Sequence, residues 1–155
     1  KAGNYPAVVL LDQVQDPRNL GAIARSCAAF GVAALIIPKD RSADIGPAAL
    51  KTSAGALHRL PFARVTNLKR ALDDLQKIGF WSVGLALEGG VPLADIALDR
   101  PLAWVVGSEG AGIRPGTGKA CDHIAFIPIE AGVESLNASV AASIALYESA
   151  RFRRS

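Results

Sequence analysis

The sequence contains no methionine, only two cysteines and two histidines, and few aromatic residues. No run of eighteen apolar residues occurs and no signal peptide opens the chain, so we expect an intracellular, cytoplasmic protein without a membrane span. Cys27 and Cys121 lie far apart without a CxxC spacing, and with His58 and His123 they form no recognisable metal set. We therefore expect no metal, and two thiols that are buried or inert.

The absence of methionine extends to the first position, Lys1, which leads us to expect a piece of a longer protein whose N-terminal domain is missing. With 50% hydrophobic and 20% charged residues, the 155 residues predict one compact domain with a sizeable core. The net charge of +3 permits a nucleic-acid partner but does not require one.

Strand and helix patterns alternate along the chain. Short apolar runs bounded by turn residues predict strands at residues 7–11, 32–37, 62–65, 80–87, 101–106 and 122–126. Between them we predict helices at 17–30, within 46–56 and at 67–79, and a helical turn at 92–96. This alternation predicts an α/β fold, a mostly parallel sheet with helices on both faces.

Two of the predicted helices have clear apolar faces. In the first, Asp16 is the N-cap, a buried stripe contains Ile23, Cys27 and Phe30, and Arg25 projects away from the core. In the other, Asn67 is the N-cap, and the inward residues are Leu68, Leu72, Leu75 and Ile78.

The segment from Ile127 to Tyr147 reads as a turn-rich loop that leads into a further helix. Ser135 and Asn137 are both good N-cap residues, and apolar residues then recur with helical spacing at Val140, Ile144 and Tyr147. Because the first N–H groups of a helix have no partner within it, this junction suits a polar or anionic group of a ligand. An ordinary capped helix is the alternative.

A glycine-rich segment begins at Gly107 and follows a predicted strand. It is not a phosphate loop, because the required first glycine falls on Ile113 and the residue after Lys119 is Ala120, which has no hydroxyl. It does not satisfy the dinucleotide pattern either. We therefore expect a loop rich in backbone donors and holding the carboxylate of Glu109, at the edge of the sheet where α/β proteins bind ligands.

Three polar segments are each expected at the carboxyl end of a strand. They are Asn19 with Arg25, Gly107 to Gly112 with Glu109, and 127–137. Taken singly, Asn19 fits a helix start, Arg25 a surface cation and Glu109 a turn. Together they predict one enclosed ligand site.

These segments carry a resemblance to a known family. The chain reads DPRNLGAIARS over 16–26, VGSEGAG over 106–112, IPI over 127–129 and SLNASVA over 135–141. In these motifs, and in their order, it resembles the catalytic domain of the SpoU (TrmH-like) RNA 2'-O-ribose methyltransferases of the SPOUT class. Within that family, PKDRSA over 38–43 and SAGA over 53–56 look most like the enzymes that methylate a guanosine ribose of large-subunit ribosomal RNA.

The resemblance implies a C-terminal deep trefoil knot and a homodimer whose interface helps to complete the site. It also implies RNA as substrate, ribosomal rather than transfer RNA, and S-adenosylmethionine as cofactor. The cofactor-binding residues it implies are Gly107, Glu109, Gly110, Ile127, Ile129, Leu136 and Asn137. The subgroup usually carries an N-terminal RNA-binding domain. RPGTGK at 114–119 departs from the more usual helical sequence after the second motif.

The catalytic residues implied by the resemblance are Arg25, Asn19, Glu109, Ser135 and Asn137. Guanidinium stays protonated, so Arg25 would stabilise the ionised ribose hydroxyl instead of acting as a base. Asn19 and Glu109 would orient Arg25 and the ribose, while Ser135 and Asn137 would hold the loop and the substrate. A transfer-RNA ribose methyltransferase, a non-catalytic RNA-binding module and, more weakly, a nucleotide binder remain as alternatives.

Overall fold

The structure is a computed structural model and describes residues 5–154. The strands in this range are β1 (Ala7–Asp12), β2 (Ala34–Pro38), β3 (Phe62–Val65), β4 (Trp81–Ala86), β5 (Val91–Pro92), β6 (Leu102–Gly107) and β7 (His123–Phe126). The helices are α1 (Pro17–Ala29), α2 (Pro47–Thr52), α3 (Leu68–Lys77), α4 (Pro115–Ala120) and α5 (Ala138–Arg154), with short 3-10 turns at Ala56–His58 and Leu93–Asp95.

The strands form one sheet in the order β3-β2-β1-β6-β4-β7-β5. Every neighbouring pair is parallel, which confirms the α/β prediction. At the centre, β1 and β6 pair along their full length, with Ala7 opposite Leu102 and Asp12 opposite Gly107. All the carboxyl ends therefore lie at one edge of the sheet, where ligands of open α/β sheets bind.

Helices cover both faces of the sheet. The side chains of β1 alternate, so that Val9 and Leu11 enter one core with residues of α1, α2 and α5. Val8 and Leu10 enter a second core with α3, where Leu68 and Leu72 are buried. Burial on both faces explains why β1 is a continuous apolar run instead of an alternating one.

Helix α1 lies between α2 and α5. Gly21 allows α2 to approach closely, because a Cβ atom at this position would be 2.5 Å from the carbonyl oxygen of Ala49. On the other side, the Oγ atoms of Ser26 and Ser143 lie 2.6 Å apart, and the rings of Phe30 and Tyr147 meet edge to face at 6.0 Å. The three helices thus form one layer over the sheet.

Each strand predicted from the sequence is present with boundaries within about two residues, the usual precision of such assignments. Strand β5 was not predicted, because its two residues are too few to show a period. The segment at 114–119 forms the short helix α4 despite its glycines. No helix among residues 5–154 has the length and apolar character to cross a membrane.

The structure corrects one residue of the predicted inward face of α3 and decides which face of α5 is buried. Ile78 was expected inside but is 73% exposed, because it is the C-cap residue of α3 and lies beyond the last turn that covers the sheet. On α5, the stripe of Val140, Ile144 and Tyr147 is exposed. The face that packs against the core consists of Leu146 and four alanines, Ala138, Ala142, Ala145 and Ala150. The alanines let this helix lie close to the core, while Val140, Ile144 and Tyr147 point outward.

We predict that Gly21→Ala lowers the free energy of unfolding by about 1–3 kcal/mol, because the added methyl group meets backbone atoms of α2. The matched control is Gly118→Ala in α4, where the nearest atom to an added Cβ is 3.5 Å away. Alanine is the better helix former there, so that variant should be neutral or slightly stabilised. Chemical denaturation measures both; equal stabilities would contradict the tight contact.

Candidate active site

A cavity opens at the carboxyl edge of the sheet, where β4, β6 and β7 end. Leu85 and Leu87 line it from the end of β4, and the loop from Gly107 to Gly112 lines it after β6. Ile127, Ile129, Leu136, Ala138 and Ala141 complete the wall. The lining is thus mostly apolar side chain and loop backbone.

The loop after β6 is a tight, closed turn. The backbone N–H of Gly112 donates to the carbonyl of Ser108 at 2.8 Å, and the N–H of Ser108 donates back to Gly112 at 3.2 Å. Gly110 and Gly112 have positive φ angles of 81° and 69°, which favour glycine. A Cβ atom on Gly107 would lie 2.1 Å from the carbonyl carbon of Gly112, so only glycine fits at the base of the turn.

Asn137 begins α5 and caps it. Its Oδ1 atom accepts hydrogen bonds from the backbone N–H groups of Ser139 at 2.9 Å and Val140 at 3.4 Å. Ser135, the other predicted cap, lies two residues before Asn137, is half-buried and caps no helix. The cap prediction is confirmed for Asn137 and wrong for Ser135.

The Nδ2 group of Asn137 joins the three predicted site segments. It donates to Oδ1 of Asn19 at 3.1 Å and to Oε2 of Glu109 at 3.4 Å. Asn19 is buried at the start of α1, and Glu109 is exposed at the rim of the cavity. One side-chain amide thus connects α1, the loop after β6 and the start of α5.

Of the predicted catalytic residues, Glu109 lines this cavity, whereas Asn19, Ser135, Asn137 and Arg25 do not. Arg25 also makes no hydrogen bond to Asn19, Glu109 or Asn137. It projects from α1 as an exposed side chain and lines a neighbouring groove with Ser139, Val140 and Ile144 of α5. The structure therefore brings together Asn19, Glu109 and Asn137, and places Arg25 apart from them.

An ion pair between a buried carboxylate and a half-exposed arginine holds the loop from outside the cavity. The carboxylate of Asp12, at the end of β1, has no solvent exposure. This carboxylate accepts hydrogen bonds from two groups of Arg114, the backbone N–H at 2.7 Å and the side-chain Nε at 2.8 Å. The Nη2 atom of Arg114 also lies 2.8 Å from Oδ1 of Asp12. This pair was not predicted from the sequence, although a carboxylate directly after a buried apolar run already implies a partner.

The cysteines take no part in the site. Burial raises the pKa of the Cys27 thiol to about 12, and burial followed by the charge of Asp122 raises the pKa of Cys121 to about 12. Both thiols therefore stay protonated at neutral pH. No metal-binding group of His, Cys, Asp or Glu was found among residues 5–154.

The fold and the cavity define the class: an α/β protein with a cavity at the carboxyl edge of a parallel sheet, the edge at which open α/β sheets bind ligands. Its family follows from the sequence. Residues 6–147 match the SpoU rRNA Methylase family, and the chain belongs to that family.

Similar proteins agree with this assignment. The chain is 51% identical over 154 residues to the 23S rRNA (guanosine-2'-O-)-methyltransferase RlmB of Coxiella burnetii, and covers 99% of its own length and 62% of that protein. The crystal structure of the SpoU methyltransferase AviRb from Streptomyces viridochromogenes has a TM-score of 0.89 at 32% identity, over 96% of this chain and 60% of that one. Its complex with AdoMet has a TM-score of 0.88 at 29% identity, over 97% of this chain and 61% of that one.

We predict that Arg114→Ala lowers the free energy of unfolding by about 1–3 kcal/mol, because the buried Asp12 carboxylate loses its guanidinium partner and keeps only the backbone N–H of residue 114. The double variant Asp12→Asn/Arg114→Ala removes the buried charge and should regain part of that loss. Chemical denaturation measures both; a double variant less stable than Arg114→Ala would contradict this account.

Proposed function

We propose that the protein is an S-adenosylmethionine-dependent RNA methyltransferase that methylates a ribose 2'-OH, of a guanosine in large-subunit ribosomal RNA. The observation that carries the proposal is the pair of hydrogen bonds from Asn137 to Asn19 and to Glu109, the last of which lines the cavity. The name of the RlmB relative supports the nucleotide, and the AdoMet complex of AviRb supports the cofactor. The chain spans about three fifths of that relative, so the activity proposed is that of the whole protein.

In this proposal the cavity holds S-adenosylmethionine. Apolar side chains such as Leu85, Ile127 and Leu136 suit an adenine ring, and the backbone of the loop at Gly107 and Gly110 suits its polar edge. The carboxylate of Glu109 offers a negative charge at the rim. We assign cofactor binding to these residues together with Ile129 and Asn137. When bound, the cofactor supplies the methyl group from a sulfonium cation.

We assign to Arg25 the stabilisation of the ionised ribose hydroxyl. A nearby positive charge favours the ionised form, and no hydrogen bond or ion pair occupies this guanidinium among the described residues. Asn19 and Glu109 orient the ribose, and Asn137 holds both of them in place. Ser135, in the loop before α5, contacts the substrate in this proposal.

The protein acts as a homodimer in this proposal, with α5 at the interface. Val140, Ile144 and Tyr147 form an exposed apolar face that continues into the groove beside Arg25. Exposed apolar stripes of this kind mark interaction surfaces. A second copy packed on this face would lie against Arg25. Arg25 could then act at the cavity of the partner subunit, because it does not line the cavity of its own subunit.

Three further features belong to the same proposal. The segment after β7 returns to the cavity beside the loop at Gly107, and we propose that it is threaded as a deep trefoil knot, an exception to the usual unknotted topology. Because the RlmB relative is longer than this chain, we propose that the intact protein also carries an RNA-binding domain. An enzyme acting on ribosomal RNA would work in the cytoplasm.

The direct test incubates the protein with labelled S-adenosylmethionine and unmodified ribosomal and transfer RNAs, and maps the product. Methylation of a guanosine ribose in large-subunit RNA is the expected result. Transfer to a base would overturn the proposed reaction, and labelling of transfer RNA alone would overturn the proposed substrate.

We predict that Arg25→Ala keeps normal binding of S-adenosylmethionine, because Arg25 lies outside the cavity, but loses methyl transfer by about 10²–10³-fold. Arg70→Ala removes an equally exposed arginine from α3, on the other face of the sheet, and should transfer methyl groups normally. Calorimetry and single-turnover kinetics separate the two effects. Near-normal turnover by Arg25→Ala would refute the role of Arg25.

We predict that Ile144→Asp converts the dimer to monomers, because it places a charge in the apolar face of α5. The control is Ile78→Asp, which adds the same charge at the exposed C-cap residue of α3 and should leave the dimer intact. Sedimentation velocity measures both. The interface is ruled out if the protein without substitutions is a monomer, or if the Ile144→Asp variant is still a dimer.

A further inference from the structure

A second groove lies on the other side of Arg25, between α1 and the segment that follows α2. Its described lining has two charged side chains, Arg25 and Arg59, and no carboxylate. The remaining wall consists of small or apolar residues, among them Ala28, Ala29, Ser53 and Ala54. We call it the arginine groove.

The two walls of the arginine groove are held in fixed positions. Gly21, one helical turn before Arg25, lets the backbone of α2 approach α1, where a Cβ would lie 3.0 Å from the backbone nitrogen of Ser53. Ser53 is fully buried, and its Oγ donates to the carbonyl of Leu50 at 2.8 Å. The 3-10 turn that carries Arg59 as its C-cap residue follows directly. The groove is therefore preformed.

Neither arginine is neutralised within residues 5–154. Both side chains are exposed, and the four ion pairs of the described chain involve other residues. A preformed groove with two unpaired guanidinium groups and no carboxylate attracts an anion. Guanidinium groups match phosphate oxygens in bidentate geometry, so the backbone of a nucleic acid is a fitting occupant.

We propose that the arginine groove binds the sugar-phosphate backbone of the RNA next to the methylated nucleotide, with Arg59 contacting a phosphate. This inference rests on the proposed function, since Arg25 acts there on the ribose and shares the groove with Arg59. A phosphate contact of this kind positions the strand without reading its sequence. An acidic protein segment would meet the same two charges, but the role of Arg25 beside a ribose favours RNA.

The test measures binding of an unmodified large-subunit ribosomal RNA transcript at several salt concentrations for the unchanged protein, Arg59→Ala, Arg59→Lys and Arg70→Ala. Arg59→Ala should bind the RNA about tenfold more weakly, because a charge-assisted contact is lost. The slope of log affinity against log salt should also fall by about 0.7–0.9, the value of one phosphate contact. Arg59→Lys keeps the charge without the bidentate geometry and should retain the slope with a smaller loss of affinity.

Arg70→Ala is the matched control, because it removes the same charge from α3 on the opposite face. It should change neither the affinity nor the slope. Equal effects of Arg59→Ala and Arg70→Ala would show only general charge attraction and overturn the proposal. Unchanged RNA binding by Arg59→Ala would overturn it too, as would binding of acidic peptides but not RNA by the unchanged protein.

Calorimetry with S-adenosylmethionine separates this inference from the proposed function. All four proteins should bind the cofactor equally, because Arg59 does not line the cavity. If the unchanged protein transfers methyl groups normally and Arg59→Ala does not change RNA binding, the proposed role of the arginine groove is wrong and the proposed function stands. If RNA binding depends on Arg59 but the protein transfers no methyl group, the proposed function is wrong and the proposed role of the arginine groove stands.

Discussion

The carboxylate of Asp12 has no contact with solvent, so its charge needs a partner within the protein. The shape of the carboxyl edge of the sheet depends on the ion pair that Asp12 forms with Arg114. Parallel pairing of β1 with β6 places Asp12 opposite Gly107, where the cavity loop begins. Arg114 lies just beyond that loop and meets the carboxylate through both its backbone and its guanidinium group. Because an unpaired buried charge is very costly, the pair fixes both ends of the loop relative to β1.

Asn137 shows how a structural role and a functional role can share one side chain. Its carbonyl oxygen caps α5, while its amide nitrogen reaches Asn19 and Glu109. The cap fixes the orientation of the amide, so the donor that faces the site needs no further support. A change at Asn137 would therefore disturb the helix start and the site together.

Arg25 lies where two surfaces of different character meet. On one side is the apolar face of α5 with Val140 and Ile144, and on the other is the arginine groove with Arg59. An exposed apolar stripe suits a protein surface, whereas unpaired guanidinium groups suit phosphate. In the proposed enzyme, this position puts Arg25 between the partner subunit and the RNA, which explains why it is not part of the wall of its own cavity.

The amino-acid sequence by itself determined the alternation of strands and helices, the helix that starts near Ser135 and Asn137, and the polar segments that follow the strands, because period and capping are local properties of the chain. The tertiary structure alone decided which neighbour covers each face. Val140 and Ile144 are as apolar as core residues, yet α5 packs through its alanines, and a helical period cannot say which face finds a partner. The pairing of Asp12 with Arg114 and the separation of Arg25 from the cavity are likewise contacts between distant segments, which no local pattern in the sequence records.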